Sequence, residues 1–439
     1  MRSKIFFAAI FGFLGVIPLP VFCQPDTVQF NDILAEALDN NFGIKIARNN
    51  ATIADNNNTP GNAGFLPTLN LSVTGSKSSN DTHQEYFDGR TRDASGAGST
   101  NLNAFSELDW TIFDGMRMFA ARDRLSELER NGQLELRMNL ESLYVGLASL
   151  YFQLSQEQKL RQVLYSSMDI SRARLILARK KFQVGAASEL DLNQAKIDYS
   201  NDSSLLIDQN VVIKNLMADI NALSGRSPEI VFAAGYNFDL NYDITYDPLK
   251  EKLHEQNIDV LMARSQMDIL YQQIRESRSY LFPNLTLYGS YNYLKSKSDV
   301  GLLTSNQSNG YSYGFRLTYN IFNGMNARRE VNNARLEYNS SELNSQQVMI
   351  RSEADLLKSY NGYESAIQEI SLERENLQNT RKNLNIAFEK YRLGAINEID
   401  FRNIQQNALE AESKLLTAEY MAKIAEINML QLSGSLSLN

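Results

Sequence analysis

The chain contains itself twice. Trp110-Thr111-Ile112-Phe113-Asp114-Gly115-Met116 returns as Tyr319-Asn320-Ile321-Phe322-Asn323-Gly324-Met325, 209 residues later. Lys181-Phe182-Gln183-Val184-Gly185-Ala186-Ala187 returns at the same offset as Lys390-Tyr391-Arg392-Leu393-Gly394-Ala395-Ile396, and Leu223-Ser224-Gly225 as Leu432-Ser433-Gly434. Upstream, Leu66-Pro67-Thr68-Leu69-Asn70-Leu71 matches Phe282-Pro283-Asn284-Leu285-Thr286-Leu287 at 216. The difference of 7 falls in a loop over 77–100 against a shorter one over 297–309. A chain of this kind folds as two copies of one unit, so any architecture must place both equivalently.

Inside each copy the hydrophobic period changes. Leu69, Leu71 and Val73 alternate with Thr68, Asn70, Ser72 and Thr74, and Leu102 to Ile112 alternates with Asn103, Glu107, Asp109 and Thr111. The second copy alternates over 285–293 and 311–321, with tyrosines on one face. Period two predicts four strands of about 10 residues, the length of a membrane-spanning strand, each with one apolar face. From Gly115 to Val184 and from Gly324 to Leu393 the period turns helical. Leu136, Leu140, Leu143, Leu147, Leu150 and Leu154 step by four and three, as do Leu356, Tyr360, Tyr363, Ile367 and Ile370, and Leu377, Leu384 and Tyr391 continue by sevens. That is a coiled-coil seam in a helix of about 70 residues, roughly 100 Å long. Gly185 and Gly394 turn the chain into second helices at about 187–222 and 396–432, and a shorter helix precedes each strand pair at about 28–58 and 249–281. Asn56-Asn57-Asn58-Thr59-Pro60-Gly61 ends the first of these early.

The expected organisation is a signal peptide over 1–23, a first repeat over 24–225 (helix, β-hairpin about 66–113, helical hairpin 115–222), a linker over 226–248, and a second repeat over 249–439 (helix, β-hairpin about 282–322, helical hairpin 324–432). Arg2 and Lys4, the apolar run Ile5 to Ile17, and Val21 and Cys23 at the −3 and −1 positions follow the order of a secretory signal. Cys23 can alternatively carry a lipid, although Phe22 is bulky where a lipid-attachment box wants a small residue. Beyond residue 24 no apolar run approaches the ~20 residues of a membrane helix, so any membrane crossing must use strands. Four strands cannot close a barrel, and open edges cannot face lipid, so the barrel must be shared between chains: two give eight strands, three give twelve.

Composition narrows the chemistry. A net charge of −8 argues against nucleic acid, and two histidines (His83, His254) with one cysteine are too few for a structural zinc site or a disulfide framework. No catalytic constellation, cofactor site or metal site is legible. A periplasmic coiled-coil scaffold with a soluble sheet and no pore remains the alternative to a channel.

The strand starts of the Leu-Pro-x-Leu type, the Ile-Phe-Asp/Asn-Gly junctions and the glycine-containing hairpin turns together resemble the TolC family of outer-membrane efflux proteins over essentially the whole mature chain. The resemblance implies a mainly α protein with membrane β-structure: tandem-duplicated helical hairpins and two β-hairpins per chain, assembled as a homotrimer with a 12-stranded barrel and an α-helical periplasmic tunnel. It implies an outer-membrane exit duct of a Gram-negative bacterium, working in a tripartite efflux or type I secretion system. The partners it implies are a periplasmic adaptor (membrane fusion protein), an inner-membrane transporter and outer-membrane lipid. It places a periplasmic gate at Tyr391, Asp400 and Asp191, the last paired with the tyrosine, and adaptor docking at the tips Val184, Gly185, Ala186, Leu393, Gly394 and Ala395. The family's gate arginine falls on Ile396 and its next acidic position on Asn403, so the salt-bridge part of the lock and a second aspartate ring are expected to be missing. Helix capping competes for the same aspartates, because Ser188 to Asp191 and Asn397 to Asp400 both read as an N-cap with an acidic N3 residue.

Overall fold

The computed structural model describes residues 27–436; the segment expected to be a signal peptide, with Cys23, lies outside them. In chain order the elements are β1 (Thr27–Val28), α1 (Phe30–Asn40), α2 (Phe42–Asn57), β2 (Thr68–Glu85), β3 (Thr91–Phe113), α3 (Arg117–Gln183), α4 (Glu189–Leu223), β4 (Ala233–Ala234), α5 (Tyr246–Gln256), α6 (Ile258–Arg278), β5 (Asn284–Ser298), β6 (Ser305–Thr318), α7 (Asn326–Arg392) and α8 (Glu398–Leu432). The two copies are built alike: α3 and α7 each have 67 residues, α4 and α8 each have 35.

The buried cores obey the duplication. Ile33, Ala37, Leu147, Leu154 and Ile220 form one cluster, and their counterparts Leu249, Leu253, Leu356, Tyr363 and Met429 form another. The leucines stepping by four and three thus pack the short helices and the hairpins together. Each pre-strand helix, expected as one, is two. Asn41 and Asn257 break them, each accepting from the N–H three residues on at 3.0 Å, which is an N-cap, so a second helix starts there. Their amides also donate at 2.8 Å to the Leu223 and Leu432 carbonyls. The Leu-Ser-Gly repeats therefore mark a joint: Gly225 and Gly434 have φ of 72° and 70°, and a Cβ on Gly225 would lie 2.9 Å from the Asn40 carbonyl oxygen.

The first helix ends where Asn58 begins to answer to α3: Arg122 donates at 2.7 Å to its carbonyl and to its side chain, and its amide reaches Glu129. At the strand-to-helix junctions Gly115-Met116 and Gly324-Met325 are all left-handed, and Asp114 accepts from the Met118 N–H at 3.0 Å as the α3 cap. The linker segment Phe232–Asn241 lies against both long hairpins; Tyr151 donates to the Val28 carbonyl and accepts from the Gly235 N–H, and Lys423 donates to the Asp239 carbonyl.

One antiparallel sheet, in the order β2-β3-β5-β6, joins the copies. Its strands have 18, 23, 15 and 14 residues, longer than the expected ten, and 77–100 is no loop but the upper part of a ribbon that turns at Tyr86–Arg90. Backbone pairing needs no apolar side chain, so the Ser- and Asn-rich continuation pairs as well as the rest. The register Leu71–Ser106–Tyr291–Tyr311 and Leu69–Leu108–Gly289–Tyr313 gathers the apolar residues on one face. That face is uncovered: Leu71 is 74% and Tyr313 81% exposed.

Candidate functional site

The two helical hairpins end at the opposite extreme from the strand turns. After α3, Val184 and Gly185 (φ 75°) close the helix with Gly185 N–H to the Phe182 carbonyl at 3.0 Å and Ala186 N–H to Lys181 at 2.8 Å. Leu393, Gly394 (φ 78°) and Ala395 repeat the same bonds onto Tyr391 and Lys390. This double bond pattern around a left-handed glycine satisfies the last carbonyls of each helix. Nothing lies within 4 Å of either glycine's missing Cβ, so its conformation alone demands it. Val184 and Leu393 are both 79% exposed, and Leu190 and Ile399 stand out beside them.

The two aspartates fare differently. Asp191 is spent on a capping box: it accepts from the Ser188 N–H at 3.0 Å and hydroxyl at 2.8 Å, while its own N–H donates to the Ser188 hydroxyl at 3.2 Å. It does not meet Tyr391 within the chain. The N–H of Asp400 donates to the Asn397 side chain at 2.8 Å, but its exposed carboxylate has no hydrogen bond or ion pair among the described residues. Tyr391 is buried, tilted against Phe401 at 5.4 Å, with Lys181 over its ring at 4.9 Å. Burial, and next the neighbouring Glu398 carboxylate, push its phenol well above the usual tyrosine range, so it stays a hydrogen-bond donor.

Ile396 packs beside Ala387, Tyr391 and Phe401 rather than bearing charge. The family's salt-bridge position therefore carries no charge here, and the ion pairs between the hairpins come from other residues. Arg174 of α3 is 1% exposed; it reaches Asp198 of α4 at 3.1 Å, Gln405 of α8 at 3.1 Å, and Glu398 at the start of α8. Its guanidinium lies 4.9 Å from the Phe401 ring and 5.8 Å from Tyr391. One turn on, Arg402 of α8 grips Asp202 of α4 with two bonds of 2.8 and 2.9 Å. Burial works against the Arg402 charge, but Asp202 and Asp198 outweigh it and hold the guanidinium protonated. Gln405 completes the set, donating to the Ser167 carbonyl and hydroxyl and to Ser171. With Arg174 and Arg402 against Asp198, Asp202 and Glu398, three helices from both copies are tied where any separation strands charge away from water.

Sequence reading missed these residues because the partners are up to 238 positions apart. A signal was present. Ser167, Ser171, Arg174 and Ala178 continue the four-three seam of α3, and Glu398, Phe401, Gln405 and Ala408 do so on α8. Charge at seam positions specifies a partner.

The profile of a family described as "Outer membrane efflux protein" matches residues 33–225 and 249–435, divided at the same place as the repeats. Outer membrane protein TolC of Escherichia coli is 20% identical over 361 residues, covering 79% of this chain and 72% of its own. The antibiotic efflux pump outer membrane protein ArpC of Pseudomonas putida is 19% identical over 312 residues, covering 67% and 60%. Among solved structures, the outer membrane protein VceC of Vibrio cholerae superposes with a TM-score of 0.74 at 16% identity over 92% of this chain and 96% of that one. The CusC channel does so at 0.78 and 17% identity, over 93% of each chain.

Proposed function

The chain belongs to the outer membrane efflux protein family, and from that premise we propose how it conducts and how it closes. It is an outer-membrane channel whose helices extend into the periplasm. Three copies close one pore: β6 of each chain pairs with β2 of the next, giving twelve strands with the apolar face in lipid and the polar face lining the lumen. The observation that carries this reading is the uncovered apolar face of a sheet with two open edges, Leu71 and Tyr313 among its members. A soluble scaffold would bury such a face; a membrane barrel has to display it. Efflux is passive here, with energy and substrate choice residing in an inner-membrane transporter joined through a periplasmic adaptor. The exposed apolar tips Val184, Leu190, Leu393 and Ile399 offer that adaptor a docking edge.

Three copies of Asp400 around the tunnel axis form an acidic ring at the mouth, and their unengaged carboxylates favour cations by Coulomb focusing. The Arg174 and Arg402 bonds hold the inner hairpin, ending at Gly394, against the outer one, ending at Gly185. The first test is the native mass in mild detergent: three chains, obtained only with detergent, are expected, and a detergent-independent monomer or dimer overturns the pore. The second is planar-bilayer recording, where Asp400→Ala weakens cation selectivity or raises conductance. An unchanged reversal potential and current remove Asp400 from the gate.

A further inference from the structure

The continuously paired part of the sheet carries six charged side chains, and the register sorts them without exception. Lys77, Lys295 and Lys297 share the face of Leu69, Leu71, Val73, Leu285, Tyr291 and Tyr293. Glu107, Asp109 and Arg316 share the opposite face, with Arg316 5.4 Å from the ring of Tyr288. The lysines also sit at one end. Lys295 is the first same-face position beyond Tyr293, and Lys77 and Lys297 flank Thr100 in the next row towards the strand turns. At the end next to the helices the same face shows Trp110 and Leu317 and no cation.

All three lysines are exposed, and none has a hydrogen bond or a carboxylate partner among the described residues. In a chain of net charge −8, three unpaired cations beside an apolar face are not a consequence of composition. Two strand spacings separate the backbones of Lys77 and Lys297, about 9.6 Å, and two residues separate Lys295 and Lys297, about 6.8 Å. Long flexible stems from such a triangle bring three ammonium groups to one headgroup while their methylenes lie on apolar surface.

We propose that Lys77, Lys295 and Lys297 form a binding site for the phosphate groups of an anionic lipid in the outer leaflet, its acyl chains lying along the Tyr291–Tyr293 column. The proposal rests on the outer-membrane reading above, which sets the strand turns outside. A lipid rather than a soluble anion is the occupant because the cations continue directly from the lipid-facing band. Each lysine near an anionic surface is worth about 1 kcal/mol, close to fivefold.

The test is native mass spectrometry of the full protein in mild detergent, titrated with bisphosphorylated lipid A, monophosphoryl lipid A and inorganic phosphate. Wild-type protein is expected to bind the bisphosphorylated lipid at least about fivefold more tightly than the monophosphoryl form. The triple variant Lys77→Gln/Lys295→Gln/Lys297→Gln should lose at least about tenfold, while Arg316→Gln on the lumen face leaves binding unchanged. Equal binding by the triple variant overturns the site, as does full competition by millimolar inorganic phosphate, which would mark a free-anion site. Should the triple variant fail to assemble, Lys295→Gln and Lys297→Gln singly are each expected to weaken binding about fivefold, and no change in either overturns the proposal. A protein that needs no detergent for extraction defeats the channel reading itself. One that is membrane-inserted but indifferent to lipid phosphate defeats only this inference.

Discussion

Arg174 lies beside the rings of Phe401 and Tyr391 with one guanidinium nitrogen on both Asp198 and Glu398, so its removal leaves two buried carboxylates without their cation. Arg174→Ala is expected to cost about 3–5 kcal/mol, the usual penalty for breaking one side of a buried pair. In bilayers the same variant should raise conductance, because the hairpins then have less to hold them together; Arg174→Lys should behave similarly, since one ammonium cannot repeat the fork. Glu141 is a separate case: one oxygen meets Arg137 at 2.8 Å, the other is buried without a partner, and burial raises its carboxyl above the usual range. A raised acid stabilises the fold below its ordinary value and loses that contribution as pH rises through the raised one. Wild-type protein should therefore gain stability from this residue as pH falls from neutral towards the ordinary carboxylate range, and Glu141→Gln should show a smaller gain in thermal unfolding over the same fall. Arg174, Glu398 and Gln405 each stand in a legible seam, but their pairing is not legible, because charge on a periodic helix face announces a contact without naming the other helix.

Glycines separate the joints from the turns. Gly185 faces open space, so Gly185→Ala pays only for its left-handed backbone, about 1–2 kcal/mol. Gly225→Ala pays that and also forces a Cβ against the Asn40 carbonyl, and Gly115→Ala would place one 2.6 Å from the Ser279 carbonyl oxygen. Thermal melts should rank both below Gly185→Ala, and an equal ranking would mean that the joints yield freely. At this scale the chain was readable in part. The long helices and hairpin turns stand within two residues of the periodicity, whereas the breaks at Asn41 and Asn257 do not interrupt it. An asparagine that caps reads like any polar residue until the Leu223 or Leu432 carbonyl it also binds is in place.

Leu336, Leu343, Ile350 and Leu357 of α7 are exposed at intervals of seven, a seam with no partner among the described residues. In the proposed trimer a neighbouring copy would cover it, each side chain contributing about 1.5–3 kcal/mol on burial. Ile350→Lys should thus shift the native mass from three chains towards one while leaving the helical content of the monomer intact. An unaltered trimer would place this stripe elsewhere than at the subunit boundary.

Duplication, strand and helix type, the reversal at each glycine and the proposal that several chains close the sheet all come from the sequence alone. They follow from local periodicity and from counting backbone groups that lipid cannot satisfy. Tertiary structure decided which charges are spent and which are free: Asp191 on its own cap, Asp400 open, and Arg174 and Arg402 clasping both repeats. It also set the register that sorts the lysines from the acidic pair. Those outcomes depend on which helix or strand comes alongside, a matter of packing that no window along one segment contains.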